Sequence, residues 1–172
     1  MYFIRNLSLI KPKTEVIIFD ALSVLNECKY ENVFYAKESC YDAIDELTKV
    51  FEANEAGKMT FAVIIGINTF LNKLSSIEKG KFTTLITDSK PRENIKYIVM
   101  DTIDVIKTIN FESWYKPNVD MSEGIWLGNG IGNQFTLKVT TNSRVLRAEV
   151  PPGFGYVIKK GKAALMKLMS DE

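Results

Sequence analysis

The chain has 172 residues, 46% of them hydrophobic and 25% charged, which suits one globular domain with a sizeable core. Twenty-two basic residues face twenty-one acidic ones. That balance speaks against a dedicated nucleic-acid-binding domain, although Lys79, Lys81, Lys90 and Arg92 make a local basic patch. There is no histidine, which excludes Ser-His-Asp, Cys-His and HExxH chemistry within this chain, and Cys28 and Cys40 form no CxxC pair.

In chain order, residues 2–10 place Phe3, Leu7 and Ile10 at helical spacing and Pro12 closes the segment. The start, MYFIRNLSLIKPK, lacks the basic leader and long apolar core of a signal peptide. TEVIIFD (14–20) is a continuous β-branched and aromatic run ending in an acid, as expected of a buried parallel strand. ENVFYA (31–36) reads as a second, shorter strand. Residues 39–54 form the clearest helix: Cys40, Ala43, Ile44, Leu47, Val50 and Phe51 make one apolar stripe, Ser39 and Asp42 resemble a capping box, and Gly57 stops it.

MTFAVIIGI (59–67) is the most hydrophobic run and the expected central strand; it is far too short to cross a membrane, so no membrane insertion is expected of this domain. Asn68 is placed to cap a helix with Phe70, Leu71, Leu74 and Ile77 on one side. A helical segment (81–88) and a turn at Pro91 lead to a third buried strand, IKYIVM (95–100). Asp101 can cap a short helix over 101–109, which FESW (111–114) extends before Pro117. EGIWLGNGIGNQF (123–135) reads as a loop in which glycines supply positive φ. Short strands are expected at TLKVTT (136–141) and RVLRAEV (144–150), then a hairpin of FGYVI (154–158) and KAALMKLM (162–169) turning at KKG. Strands alternating with helices imply an α/β fold with a parallel, three-layer sheet and a β-rich C-terminal edge.

Nucleotide chemistry is conspicuous by what the residues lack. No GxxxxGK[ST] stretch is present to hold phosphates on backbone N–H groups and to supply a lysine and a metal-binding hydroxyl. GNGIG precedes a strand and does not lead into a helix, so it fails the dinucleotide spacing. The strand best suited to end in a metal-holding acid ends IIGINTF, with Gly66 and Asn68 where acids would be useful.

VIIFD followed by ALSVL resembles the second strand of FtsK/SpoIIIE-type motor ATPases; helix 39–54, FAVIIGI and YIVMD then follow in that family's order. PNVDMSEGIWLGNGIGNQF (117–135) is similar to one branch, the last ATPase domain of the EssC/YukB membrane coupling ATPases of type VII (ESX-like) secretion, as is the closing GYVIKKGKAALMKL. The resemblance implies a RecA-like, P-loop NTPase-type fold, N-terminally truncated or degenerate, at the cytoplasmic face of a bacterial membrane. Asp20, Gly66, Asn68 and Asp101 take degenerate nucleotide-site positions, with ATP and magnesium belonging to the parent protein and no cofactor to this chain. Gly124, Trp126, Gly128, Gly130 and Gln134 take the place of a subunit-boundary loop in a hexameric ring, with Arg144 and Arg147 just beyond it. The implied partners are secreted helical-hairpin proteins and other domains and subunits of the ATPase; Phe70, Leu71 and Leu74 are the candidate substrate-binding residues. Two readings stay open: a recognition module without hydrolysis, and a motor domain whose phosphate loop lies upstream of Met1.

Overall fold

A computed structural model describes residues 14–25, 33–35, 40–53, 59–87, 95–141 and 143–168. The expected helix over 2–10, Ser39, Gly57 and the turn at Pro91 lie outside the described residues. The chain forms two compact units, which meet in sequence between Trp114 and Tyr115.

The first unit is built on a four-stranded parallel sheet in the order β2-β1-β3-β4: β1 Thr14–Asp20, β2 Val33–Tyr35, β3 Met59–Ile65 and β4 Ile95–Met100. The three apolar runs are therefore neighbours. β3 is largely buried, whereas β4, expected to be buried, buries only Ile95 and leaves Lys96 exposed and residues 97–100 half-buried, as befits a strand at the edge of the described sheet. Alternate residues serve opposite faces. Ile18, Val63 and Ile65 join Leu25 in one cluster, with Val16, Phe61, Ile98 and Met100 packed against it. The opposite face carries an aromatic stack in which Phe19 meets Phe70, Phe70 meets Phe82, and Phe82 meets Trp114 edge-on at 5.4 Å between ring centroids. Fully burying each of these rings stabilises the fold by about 2 kcal/mol.

The helices of this unit are α1 Cys40–Ala53, α2 Ile67–Lys73, α3 Ser76–Thr87 and α4 Ile103–Ile109. α1 buries Ile44 and Leu47, one turn apart on its stripe. The break expected between a helix reaching Ile77 and a second over 81–88 falls earlier, after Lys73. Leu74 is extended (φ −75°, ψ 139°) and ends α2. Ser75 and Glu78 then form a reciprocal capping box for α3: the Ser75 amide donates to Glu78 Oε2 and the Glu78 amide to Ser75 Oγ. Ile77 consequently falls off the apolar stripe and is 76% exposed. Residues 111–114 form turns and do not extend α4, but they deliver Trp114 to the core, 2% exposed.

The second unit is a three-stranded antiparallel sheet in the order β5-β6-β7, with β5 Gly124–Leu127, β6 Phe154–Lys159 and β7 Lys162–Lys167. These strands form a sheet of their own and do not extend the parallel one. Lys160 and Gly161 both take positive φ (49° and 75°), the requirement of a two-residue hairpin turn. TLKVTT is not a strand, and RVLRAEV starts with a helical turn, α6 Ser143–Leu146, after the short α5 at Tyr115–Asn118. One face of the sheet covers Ile131, Leu146 and Val150 with Tyr156 and Ile158; Trp126, Leu137 and Phe154 close the cluster.

Candidate functional site

Parallel α/β sheets bind ligands beyond the carboxyl ends of their strands, which makes that end of β1, β3 and β4 the candidate site. Asp20 pairs with Ile65 and Ile65 with Met100, which sets Gly66 and Asp101 one residue beyond the last rung. The ladder runs on by one step: the Ala21 amide donates to Ile65 O at 3.0 Å and the Gly66 amide to Met100 O at 2.9 Å. Three of the four sequence-selected positions therefore converge.

Their side chains serve the backbone around them. Asp20 is 0% exposed, and its Oδ2 accepts the Leu25 amide at 2.8 Å, closing the turn after β1. Its Oδ1 has no hydrogen-bond partner among the described residues. Gly66 sits in the left-handed region (φ 74°, ψ 56°) as the N-cap of α2. A Cβ there would overlap Leu22 Cγ and lie 2.8 Å from Leu22 Cδ2, so Leu22 occupies the space that an acid at this strand end would need. Asn68 does not cap α2; it lies inside the first turn, exposed. Asp101 is not the cap of α4 either. Thr102 takes that position without a side-chain cap bond, and Asp101 Oδ1 accepts the Thr102 amide at 2.8 Å. Lys73 reaches this end, its Nζ donating to Ala21 O at 3.4 Å. These residues do not fit a nucleotide–magnesium site: one acid faces a turn, one faces its neighbour's amide, and the central position is a glycine under Leu22.

Phe70, Leu71 and Leu74 are all buried. Phe70 belongs to the aromatic stack, so its place is the core and not an open groove. Leu71 alone also borders a concavity of ≈160 Å³, which Asn68, Asn72, Lys79, Thr83 and Glu112 line with it. Sequence reasoning missed this rim. The signal was present in S-S-I-E (75–78), whose capping box starts a new helix and turns Lys79 and Thr83 towards α2.

In the second unit, the stretch expected to be one loop is half strand. Gly124–Leu127 is the edge strand β5, Gly128 and Gly130 turn at positive φ (77° and 92°), and residues 131–133 make one 3₁₀ turn. Each polar member is used locally. Trp126 is half-buried on the cluster side, and its Nε1 donates to Asn129 O at 2.9 Å. Asn129 Oδ1 accepts the Val150 amide at 2.6 Å. Gln134 Oε1 accepts the amides of Thr136 and Leu137, and its Nε2 donates to Leu137 O. Gly132 lets this turn approach α6: a Cβ would lie 3.0 Å from the Leu146 carbonyl. Arg144 and Arg147 are exposed, on and just after α6, not on one face of a strand.

Among the described residues, no group of three or more acids and thiols could hold a metal ion, and no helix is long and apolar enough to cross a membrane.

Two solved structures share this fold. The cytoplasmic domain of EssC aligns with 95% of the chain at a TM-score of 0.66 and 14% identity, the match taking 33% of that protein. Thermomonospora curvata EccC, comprising ATPases 2 and 3 in complex with a signal sequence peptide, aligns with 93% of the chain at a TM-score of 0.57 and 12% identity, taking 31% of its own length. No family model and no curated protein matches the sequence. The fold is therefore that of an EssC/EccC-like ATPase domain, in accord with the resemblance read from residues 117–135. The chain spans about a third of the length of the solved proteins it matches.

Proposed function

We propose that this chain is a component of a type VII secretion motor that recognises secreted proteins and does not itself hydrolyse ATP. The observation that carries the reading is the shared fold: one of the two similar structures is a complex with a signal sequence peptide. The geometry around Gly66 supports the second half, because catalysis of phosphoryl transfer rests on positioned cations and N–H donors, and none of the sequence-selected positions is arranged to supply them. In this reading the domain works at the cytoplasmic face of the membrane, beside the other domains and subunits of a ring-forming coupling protein. Its ligand is the helical hairpin of a secreted protein or the tail that follows it, taken as an amphipathic segment.

Titration calorimetry with ATP–magnesium and a phosphate-release assay test the nucleotide half; micromolar affinity or turnover contradicts it. Titration with the secreted proteins of the same locus tests the recognition half, and a folded protein that binds none of them refutes it. A second reading, a nucleotide-binding motor completed by a phosphate loop upstream, is favoured by one observation. β4 is an edge strand among the described residues, so a further strand could be added beside it.

A further inference from the structure

We infer that the uncovered face of the β5-β6-β7 sheet is the docking surface for an amphipathic, acidic segment of a secreted protein. The inference rests on the recognition reading above and assigns it a place.

Residues directly opposite each other in an antiparallel sheet share a face. Trp126 opposes Tyr156, and both look onto the Ile131 cluster. Ile125 and Val157 therefore look the other way, as do Leu127, Ala164 and Met166. Their exposure is that of a bare face: Leu127 58%, Ile125 40% and Val157 39%. An ordinary two-layer sheet shows polar residues on its solvent side. Here both sides are apolar, so the strands are patterned for a partner on each. Gly155 adds to the flatness of this face. A Cβ on it would lie 2.5 Å from Trp126 O and 3.4 Å from Leu127 Cδ2, so β5 and β6 close up over the position.

Charge selects the occupant. At the hairpin end of the same face Lys159 and Lys162 are directly opposite each other, and like charges so placed repel. Neither has an ion-pair partner among the described residues. Residues 115–168 carry eight lysines and arginines against three acids, although the whole chain is nearly balanced. An apolar strip ending in two lysines, beside which the carboxylate of Glu123 is taken up by the Lys160 amide, complements a segment with apolar anchors followed by carboxylates. It repels a basic one, and it gives a second copy of this same basic face no compensation.

The test uses the full chain and two fluorescent helical peptides of about 20 residues with identical leucine stripes, one ending in glutamates and the other in lysines. The expected result is binding of the glutamate peptide about tenfold or more tighter than the lysine peptide. Val157→Asp and Leu127→Asp abolish it, and Lys159→Glu with Lys162→Glu reverses the preference between the peptides. Thermal melts confirm that each variant is folded. Equal binding of both peptides, binding untouched by the face variants, or no binding by the folded wild type overturns the proposal. So does concentration-dependent self-association that Leu127→Asp removes, since the face is then covered by a second copy. If the locus's secreted proteins bind and the face variants leave that binding unchanged, the surface is wrong and the recognition reading stands. If the glutamate peptide behaves as expected but no secreted protein binds, the surface stands and the recognition reading falls.

Discussion

Trp126 is tied to Asn129 by a hydrogen bond from its indole Nε1 to the backbone carbonyl three residues on, while Asn129 reaches with its own side chain to the Val150 amide at 2.6 Å. The pair joins β5, the glycine turn and the segment after α6 into one small structure. Asn129→Ala leaves the Val150 amide without its partner and is expected to cost about 1–3 kcal/mol. Trp126→Phe keeps the ring contact but loses the bond and is expected to cost about 1 kcal/mol, with Trp126→Ala more costly because the cluster opens. Chemical denaturation followed by circular dichroism measures all three; an Asn129→Ala protein as stable as wild type contradicts this account.

Gly66 and Leu22 make the second prediction. Gly66→Ala places a Cβ at φ 74° and against the Leu22 side chain. The left-handed backbone alone costs about 1–2 kcal/mol, and the overlap adds to it. Leu22→Ala in the same chain is expected to recover the overlap and leave the backbone cost, a non-additivity that a double-mutant cycle reads directly. Gly66→Asp, which places an acid at the end of β3, is expected to destabilise the protein and to produce no phosphate release.

Asp20 provides a third. Its carboxylate is buried and holds the Leu25 amide. Asp20→Asn keeps an acceptor for that amide, whereas Asp20→Ala leaves it unpaired at a cost of about 1–3 kcal/mol. The ordering Ala below Asn is expected in thermal melts; the reverse ordering shows that the turn does not depend on this bond.

A fourth concerns pH. The amide and then the hydroxyl of Ser122 donate to Asp120 Oδ1 at 2.8 and 2.7 Å and hold its carboxyl below the usual carboxylate range. A depressed folded value means that the contribution to stability is present above the ordinary value of 3.8 and is lost as pH falls through the folded one. Carbon-detected NMR titration is expected to show Asp120 titrating below 3.8, and Ser122→Ala to move it upward. An unshifted Asp120 removes the interaction.

The parts of this fold that were legible in the residues are those whose neighbours in sequence decide them. TEVIIFD and MTFAVII contain the unbroken apolar runs VIIF and FAVII, and burial on both faces of a parallel sheet leaves such runs one main use. IKYIVM, with Lys96 exposed and residues 97–100 half-buried, forms a strand at the edge of the described sheet. The hairpin was legible because Lys160-Gly161 suits a two-residue turn. TLKVTT alternates as a strand should, yet its amides go elsewhere: Lys138 donates to Met121 O and Thr140 to Gly161 O, partners that no local pattern reveals. The two tryptophans make the same point. The glycine-flanked Trp126 draws attention but is half-buried, and Trp114, in an undistinguished FESW, is the one in the core. Of the candidate positions, Asp20, Gly66 and Asp101 lie together at the carboxyl ends of three neighbouring strands. That each is spent on its own backbone depends on φ and on neighbours such as Leu22, which sequence does not print.

The hairpin has a further consequence, in time. Lys159 and Lys162 meet across a two-residue turn, so β6 and β7 can pair within about 1–10 μs, the ordinary rate for a hairpin. β1 has no such shortcut: Thr14 must find Met59, and Ile18 must find Val33, by closing long loops before any contact repays the search. The β6-β7 hairpin is thus the early-forming part of the polypeptide and the β1-β3 pairing a late one. Pulse-labelled hydrogen exchange during refolding is expected to protect the amides of β6 and β7 before those of β1 and β3. On a ribosome the order of synthesis runs the opposite way, so the strands released first wait longest for their partners.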